Sequence, residues 1–352
     1  MHKLIITGLL AAALTMPALA QTPAAQMVPQ MIPKAGPATT KGAYAPQAIL
    51  PGGIVMPLFA PNSPFLNAKR IGEAEKYTMD PAVPGRVQRV VNIHNPSIEV
   101  HLAGAGNNTG TAIILAPGGG HSTLVIGLEG ADPVPYFFQY GINTIILRNR
   151  LRSDGYEPKT DGVYDLQQAV RMVRAHAAEW HIDPHKIGVM GFSAGAELTM
   201  AAAIQYPDFN AKNGVAGDPL AHVSARPDFV GSIYPGPSLF TPAWTSKNST
   251  PPIPKDAPPS FIAGAGWQDK VHAVWASEYF AAMLNAGIPN VEMHIYARGT
   301  HGNGLAYRDF TGEGSWQDRF VHWLRDLGFF QKSGTETLAA QDSAAFVTAP
   351  SS

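Results

Sequence analysis

Ser193 lies in Gly191-Phe192-Ser193-Ala194-Gly195, after the apolar run Ile187-Gly188-Val189-Met190 and before an Ala-rich stretch from Ala196. A strand that passes through Gly-x-Ser-x-Gly into a helix must turn very tightly. Gly191 and Gly195 carry no side chain where the two backbones crowd, and Ser193 is left at the apex, strained, with its hydroxyl exposed. The following helix points its N-terminus at that oxygen. The Ala194 amide can therefore receive negative charge developing on a substrate carbonyl. A neutral serine hydroxyl is a weak nucleophile, so it needs a base, and the base needs a group to orient it.

Where a serine sits on such a turn, the acid and then the histidine follow it in the chain. His222, His272, His294, His301 and His322 all come after Ser193. His294 falls inside an alternating strand and His322 in the final helix. His301 stands in the glycine-flanked loop Gly299-Thr300-His301-Gly302-Asn303-Gly304, just past a strand that ends near Tyr296. That places it at the carboxyl edge of a sheet, as Ser193 is, and makes it the expected base, with His272 as rival. The acid should follow the preceding strand, Ser260–Ala263. Asp269 does so, and can accept the Nδ1 proton of His301; the competing role is to cap the helix that begins near Val271. A second oxyanion donor is expected in Pro117-Gly118-Gly119-Gly120-His121, after the strand Thr111–Ala116. Three glycines let the chain turn its amides inward, with Gly119 the first choice and Gly120 its partner or substitute. A phosphate cradle is the other use of such a loop, but no Lys-Ser/Thr pair follows it and Gly-x-Gly-x-x-Gly spacing is absent. His121, Glu129 and Trp267 are expected to frame the substrate pocket, although Glu129 is equally suited to a cap or ion pair.

These groups need a scaffold that brings strand ends together. Apolar strands are expected at Val90–Ile93, Ile98–Leu102, Thr111–Ala116, Asn143–Leu147, Ile187–Gly191, Phe229–Tyr234, Ser260–Ala263 and Val291–Ile295. Several are unbroken apolar runs, as in parallel strands covered on both faces. Val163, Leu166, Val170, Val173, Ala177 and Trp180 trace one helix face. Val271–Ala286 reads as a second helix. A third runs from Ser315 to Leu327 and stops at Gly328. The alternation argues for an α/β fold, a mostly parallel central sheet with helices on both faces.

The 352 residues carry 25 Lys+Arg against 26 Asp+Glu, a formal charge of -1, which gives no support to a strongly basic nucleic-acid binder. There is no cysteine, so disulfides, thiolate catalysis and Cys-ligated metals are excluded. His2 and Lys3, the apolar run Leu4–Leu14 and the small-x-small site Ala18-Leu19-Ala20 read as a secretory signal peptide over 1–20. The run is short for a permanent anchor, the alternative. Export to a bacterial periplasm or beyond is expected. Residues 21–65 read as a Pro/Ala-rich leader that is loose or wraps the surface, of which Ile54-Val55-Met56-Pro57-Leu58-Phe59 could pack on the domain; 66–330 read as one domain and 331–352 as a flexible tail.

The combined pattern resembles the α/β-hydrolase superfamily, and within it the esterase/lipase branch that includes bacterial carbohydrate acetylesterases, such as acetyl xylan esterases and BD-FAE-like enzymes. The resemblance spans roughly residues 85 to 328. It rests on Pro117-Gly118-Gly119-Gly120, Glu129-Gly130, Arg148-Asn149-Arg150-Leu151, the segment from Trp180 to Gly195, Arg226-Pro227-Asp228-Phe229, and the Asp269 and His301 loops. It implies Ser193, Asp269 and His301 as nucleophile, acid and base, with oxyanion amides at Ala194 and in Gly118–Gly120. Relatives often have His where Pro117 stands and Gly where Ala196 stands. The implied activity is carboxylic ester hydrolysis, with an acetylated saccharide as substrate and no metal or organic cofactor. A serine peptidase of the same fold, or an inactive carbohydrate-binding homologue, are the competing readings.

Overall fold

The computed structural model describes residues 42–212, 218–242, 244, 251–305 and 312–349. The expected signal segment and the first part of the leader, 21–41, lie outside the described residues.

Ten strands and six α-helices are described. The strands are β1 (Ile54–Pro57), β2 (Lys76–Met79), β3 (Val87–Val91), β4 (Ser97–His101), β5 (Ala112–Ala116), β6 (Asn143–Arg148), β7 (Ile187–Phe192), β8 (Val230–Ile233), β9 (Ser260–Ala265) and β10 (Glu292–Tyr296). The helices are α1 (Pro133–Phe138), α2 (Val163–Ala175), α3 (Ala194–Lys212), α4 (Lys270–Asn285), α5 (Trp316–Asp326) and α6 (Leu338–Thr348). Eight strands form one sheet in the order β1-β4-β6-β5-β7-β8-β9-β10. From β6 to β10 every pairing is parallel; β4 runs antiparallel to both neighbours. β2 and β3 make a separate hairpin, so the strand expected near Val90 does not join the main sheet.

The unbroken apolar strands are buried on both faces because helices cover both. Ala112, Ile114 and Ala116 of β5 pack with α2 and α3 on one side. Ile113 and Leu115 pack with Val134 and Phe137 of α1 and Phe320 and Trp323 of α5 on the other. α2 ends sooner than its stripe suggested, yet Ala177 and Trp180 stay buried in the turns beyond it. The arginines after the β6 core are structural: Arg148 pairs with Glu99, and Arg150 with Asp165 at 2.8 Å.

One boundary that the sequence leaves open is filled in, and one expectation is corrected. The described part of the leader is integral: β1 forms the sheet edge, Leu58 and Phe59 enter the core, and the Ile49 and Leu50 amides donate to the Glu99 carboxylate at 2.9 Å each. The expected flexible tail contains α6. Thr337 caps it by accepting from the Ala340 amide at 3.1 Å, and Ala339, Ser343 and Phe346 turn towards the body. No helix among the described residues is long and apolar enough to cross a membrane.

Candidate active site

β7 delivers Ser193 and α3 begins at the next residue. Ser193 has φ 51, a left-handed conformation that a side chain rarely adopts. The glycines beside it are sterically required. A Cβ on Gly191 would lie 2.3 Å from the Gly195 carbonyl oxygen, and one on Gly195 would lie 1.9 Å from that of Ala116. The strained serine is pinned by its own amide, which donates to the Ile233 carbonyl at the end of β8 at 3.0 Å.

His301 arrives from the loop after β10, and Asp269 from the loop between β9 and α4. The Ser193 hydroxyl donates to His301 Nε2 at 2.8 Å, and His301 Nδ1 donates to Asp269 Oδ2 at 2.9 Å. Asp269 occupies the N-terminal cap position of α4 but makes no side-chain capping bond; its carboxylate serves the histidines instead. Burial alone would raise the Asp269 carboxyl, but hydrogen bonds from His272 and His301 outweigh it and hold the group down at about 2. The carboxylate therefore stays charged opposite His301. Of the other histidines, His294 pairs with Glu292 at 2.7 Å, and His222 and His322 are exposed elsewhere.

The glycine loop curls beside Ser193. Gly119 and Gly120 line the same cavity as Ser193 and His301, a space of about 550 Å³. Both have positive φ, 126 and 63. Neither amide finds an acceptor among the described residues. The Gly118 amide differs: it donates to Glu129 Oε2 at 2.6 Å and is spent on holding the loop. Ala194 is the first residue of α3, where an amide has no intrahelical acceptor. The free donors are thus at 119, 120 and 194.

Of the three residues expected to frame the pocket, Glu129 lines the cavity, and His121 and Trp267 do not. His121 is buried, and its Nε2 meets Glu197 Oε2 at 3.1 Å, tying the glycine loop to α3. Trp267 is 82% exposed and contributes nothing to the cavity wall. Glu129 touches the cavity yet is only 2% exposed. Its second oxygen accepts from the Tyr234 hydroxyl at 2.8 Å, and that hydroxyl accepts from the Gly304 amide at 2.8 Å. Glu129 thus links the glycine loop, the end of β8 and the histidine loop. Burial raises its carboxyl to about 6, against the lowering effect of those bonds.

Some contributors escaped the sequence reading. Glu313 is buried beneath the histidine loop, accepts from the Thr300 amide at 3.1 Å, and is pushed by burial up to about 7. Arg86 and Arg89 line the cavity mouth, with Arg86 bound to Asp132 at 2.7 Å. Tyr234 directly follows β8, so its place at a strand end was a usable signal. Glu313 and the arginines carried none. In the Pro-rich segment Pro235–Pro259, whose composition suits either a lid or a packed cover, residues 243 and 245–250 lie outside the described set. Trp244 is buried, with the Lys159 ammonium 5.1 Å from its ring centroid.

One cluster has metal-like spacing: ligand atoms of Asp269, His272 and His301 lie within 4.8 Å of one another. A cation there would have to displace the protons that the two Nδ1 atoms already share with the carboxylate.

The BD-FAE family pattern matches residues 107–231, from the glycine-loop strand past the serine. An acetylxylan esterase of Xylanibacter ruminicola is 29% identical over 271 residues, covering 74% of this chain and 51% of that protein. Endo-1,4-beta-xylanase B of Butyrivibrio fibrisolvens is 28% identical over 221 residues, 56% of this chain and 33% of that one. The chain therefore spans about half or less of the length of these curated relatives. Among solved structures, an acetyl ester-xyloside bifunctional hydrolase from Caldicellulosiruptor lactoaceticus superposes with a TM-score of 0.61 at 25% identity, covering 80% of this chain and 99% of that one. The sheet order, the serine turn and these matches together give the chain an α/β-hydrolase fold, with a stretch that matches the BD-FAE family model and a similarity to esterases of that fold.

Proposed function

We propose that this protein is an exported serine esterase that removes acetyl groups from a saccharide. The observation that carries the reading is the continuous line Ser193–His301–Asp269, with 2.8 and 2.9 Å between successive groups, facing unspent amides at 119, 120 and 194. In the reaction, Ser193 Oγ bonds to the ester carbonyl carbon and its proton passes to His301 Nε2. The carbonyl electron pair moves onto oxygen, where the loop and helix amides receive the charge. Collapse expels the sugar alkoxide, which takes the proton from His301. Water then attacks the acetyl-serine by the same route and releases acetate. Asp269, ionised throughout, holds the imidazolium. The cavity is larger than an acetyl group needs, and the polar side chains at its mouth suit a hydroxylated substrate. The name of the Xylanibacter relative points to acetylated xylan as the first substrate to try.

The test is turnover of a small aryl acetate and release of acetate from acetylated xylo-oligosaccharides, with fluorophosphonate labelling of the serine. Ser193→Ala should lose at least about a thousandfold in turnover and all labelling while keeping its fold. Undiminished turnover by that variant would overturn the mechanism. Cleavage of a dipeptidyl anilide in preference to the acetate would favour a peptidase. Export rests on the sequence of residues 1–20; retention of the protein inside the cell with its N-terminus uncleaved would contradict it, and secreted material should begin at Gln21.

A further inference from the structure

His272 is the third residue of α4, one helical turn beyond Asp269, and it lines the cavity that holds Ser193. Its Nδ1 donates to Asp269 Oδ1, while His301 Nδ1 donates to Oδ2. Each oxygen of the carboxylate is thus engaged by a different imidazole. The two rings also stack, with centroids 3.7 Å apart and planes 22° from parallel. The edge of Tyr234 meets His301 at 5.1 Å and 66°, and Trp275 meets His272 at 5.1 Å and 88°.

We infer that His272 is a positioning residue for the base, acting through Asp269. The inference rests on the esterase reading above. A carboxylate on a single Cβ rotates broadly about its last torsion. One donor fixes one oxygen and leaves the plane free to swing. A second donor on the other oxygen fixes the plane, and with it the direction in which His301 must present its Nδ1 proton. The tautomer with an Nε2 lone pair aimed at Ser193 follows from that direction. The helix amides cannot substitute, because Asp269 makes no capping bond to them. The stacked ring adds a wall against tilting of His301, whose side chain is 34% exposed.

Two substitutions separate donor from wall. In His272→Asn the side-chain amide nitrogen occupies the δ position and can still donate to Asp269. In His272→Phe the ring face stays and the donor goes. With an aryl acetate, His272→Phe should lose about ten- to a hundredfold in kcat with KM nearly unchanged, as expected for a slightly misplaced base. His272→Asn should recover most of that loss. A second readout needs no turnover. In full-length protein with ¹⁵N-labelled histidine, the wild type should show two low-field Nδ1 protons. His272→Phe should show one, displaced from its wild-type position; an undisplaced His301 signal would overturn the proposal. Wild-type kcat in His272→Phe would also overturn it, as would equal loss in both variants. Failure of the esterase reading itself looks different: the wild type would then neither turn over acetates nor label with fluorophosphonate, while the proton signals would still report whether His272 fixes Asp269.

Discussion

Ser193 and His301 face each other across 2.8 Å, yet the chain holds them by different means. Ser193 is held by backbone. Its strained φ is enforced by the last pairings of β7, by the start of α3, and by two glycines whose missing Cβ atoms would strike main-chain oxygens at 2.3 and 1.9 Å. His301 is held by side chains from distant segments: Asp269, Glu313 beneath its loop, and Tyr234 on the Gly304 amide. A backbone-built turn can be damaged only together with the sheet. A side-chain-built loop can lose its alignment while the sheet survives.

A pair of glycine substitutions breaks this comparison most directly. Gly195→Ala puts a methyl group 1.9 Å from the Ala116 carbonyl, where only backbone could yield. It should cost at least about 3 kcal/mol and abolish turnover, visible as a large fall in melting temperature. Gly299→Ala is also crowded, with φ 154, but its nearest contacts are side-chain atoms, the end of Glu313 at 2.0 Å and then the Ala265 Cβ at 2.8 Å, and no main-chain oxygen. That carboxylate can swing away and release the Thr300 amide. The melting temperature should fall by only a few degrees, while kcat on an aryl acetate falls about ten- to a hundredfold. Equal loss of stability in both variants would erase the distinction between the two halves.

The same distinction explains what the sequence disclosed. The serine turn is a local pattern, and a reader can see strand, Gly-x-Ser-x-Gly and helix in one stretch. Asp269 and His301 were legible because each follows an apolar strand, and parallel strands share one carboxyl edge. The roles of His121 and Glu129 were not legible, because their fate depends on Glu197 and Tyr234, remote in the chain. Polar residues beside a glycine loop suggest a pocket wall until a partner is found that buries them. α6 was hidden by composition. A stretch rich in Ser, Thr, Ala and Gln looks like a tail unless Thr337 caps it and a few small residues and Phe346 find the body. The sequence leaves β1 undecided, because the apolar run Ile54–Phe59 suggests packing while the prolines around it, which an edge strand tolerates, suggest a loose leader.

Glu129 tests the side-chain half more gently, and through pH. Its carboxyl is raised from 4.5 to about 6, with burial the main cause. Between those values the folded chain binds more protons at this site than the unfolded chain, so stability declines as pH rises from about 4.5 to about 6 and then levels off. A shift of that size corresponds to about 2 kcal/mol. Glu129→Gln removes the titration, so the difference in unfolding free energy between wild type and variant should change across that window and stay flat above it. The amide also cannot accept from both the Gly118 amide and the Tyr234 hydroxyl. One donor is left unmet, which costs about 1–3 kcal/mol at all pH values. Because the link from the glycine loop to Gly304 then loosens at one point only, kcat should fall by less than about tenfold, the smallest of the effects on rate. A stability difference that does not vary between pH 4.5 and 6 would mean that the carboxylate reaches water more freely than its burial beside Tyr234 implies, and the clamp between the two loops would then be weaker than the backbone turn by more than this comparison allows.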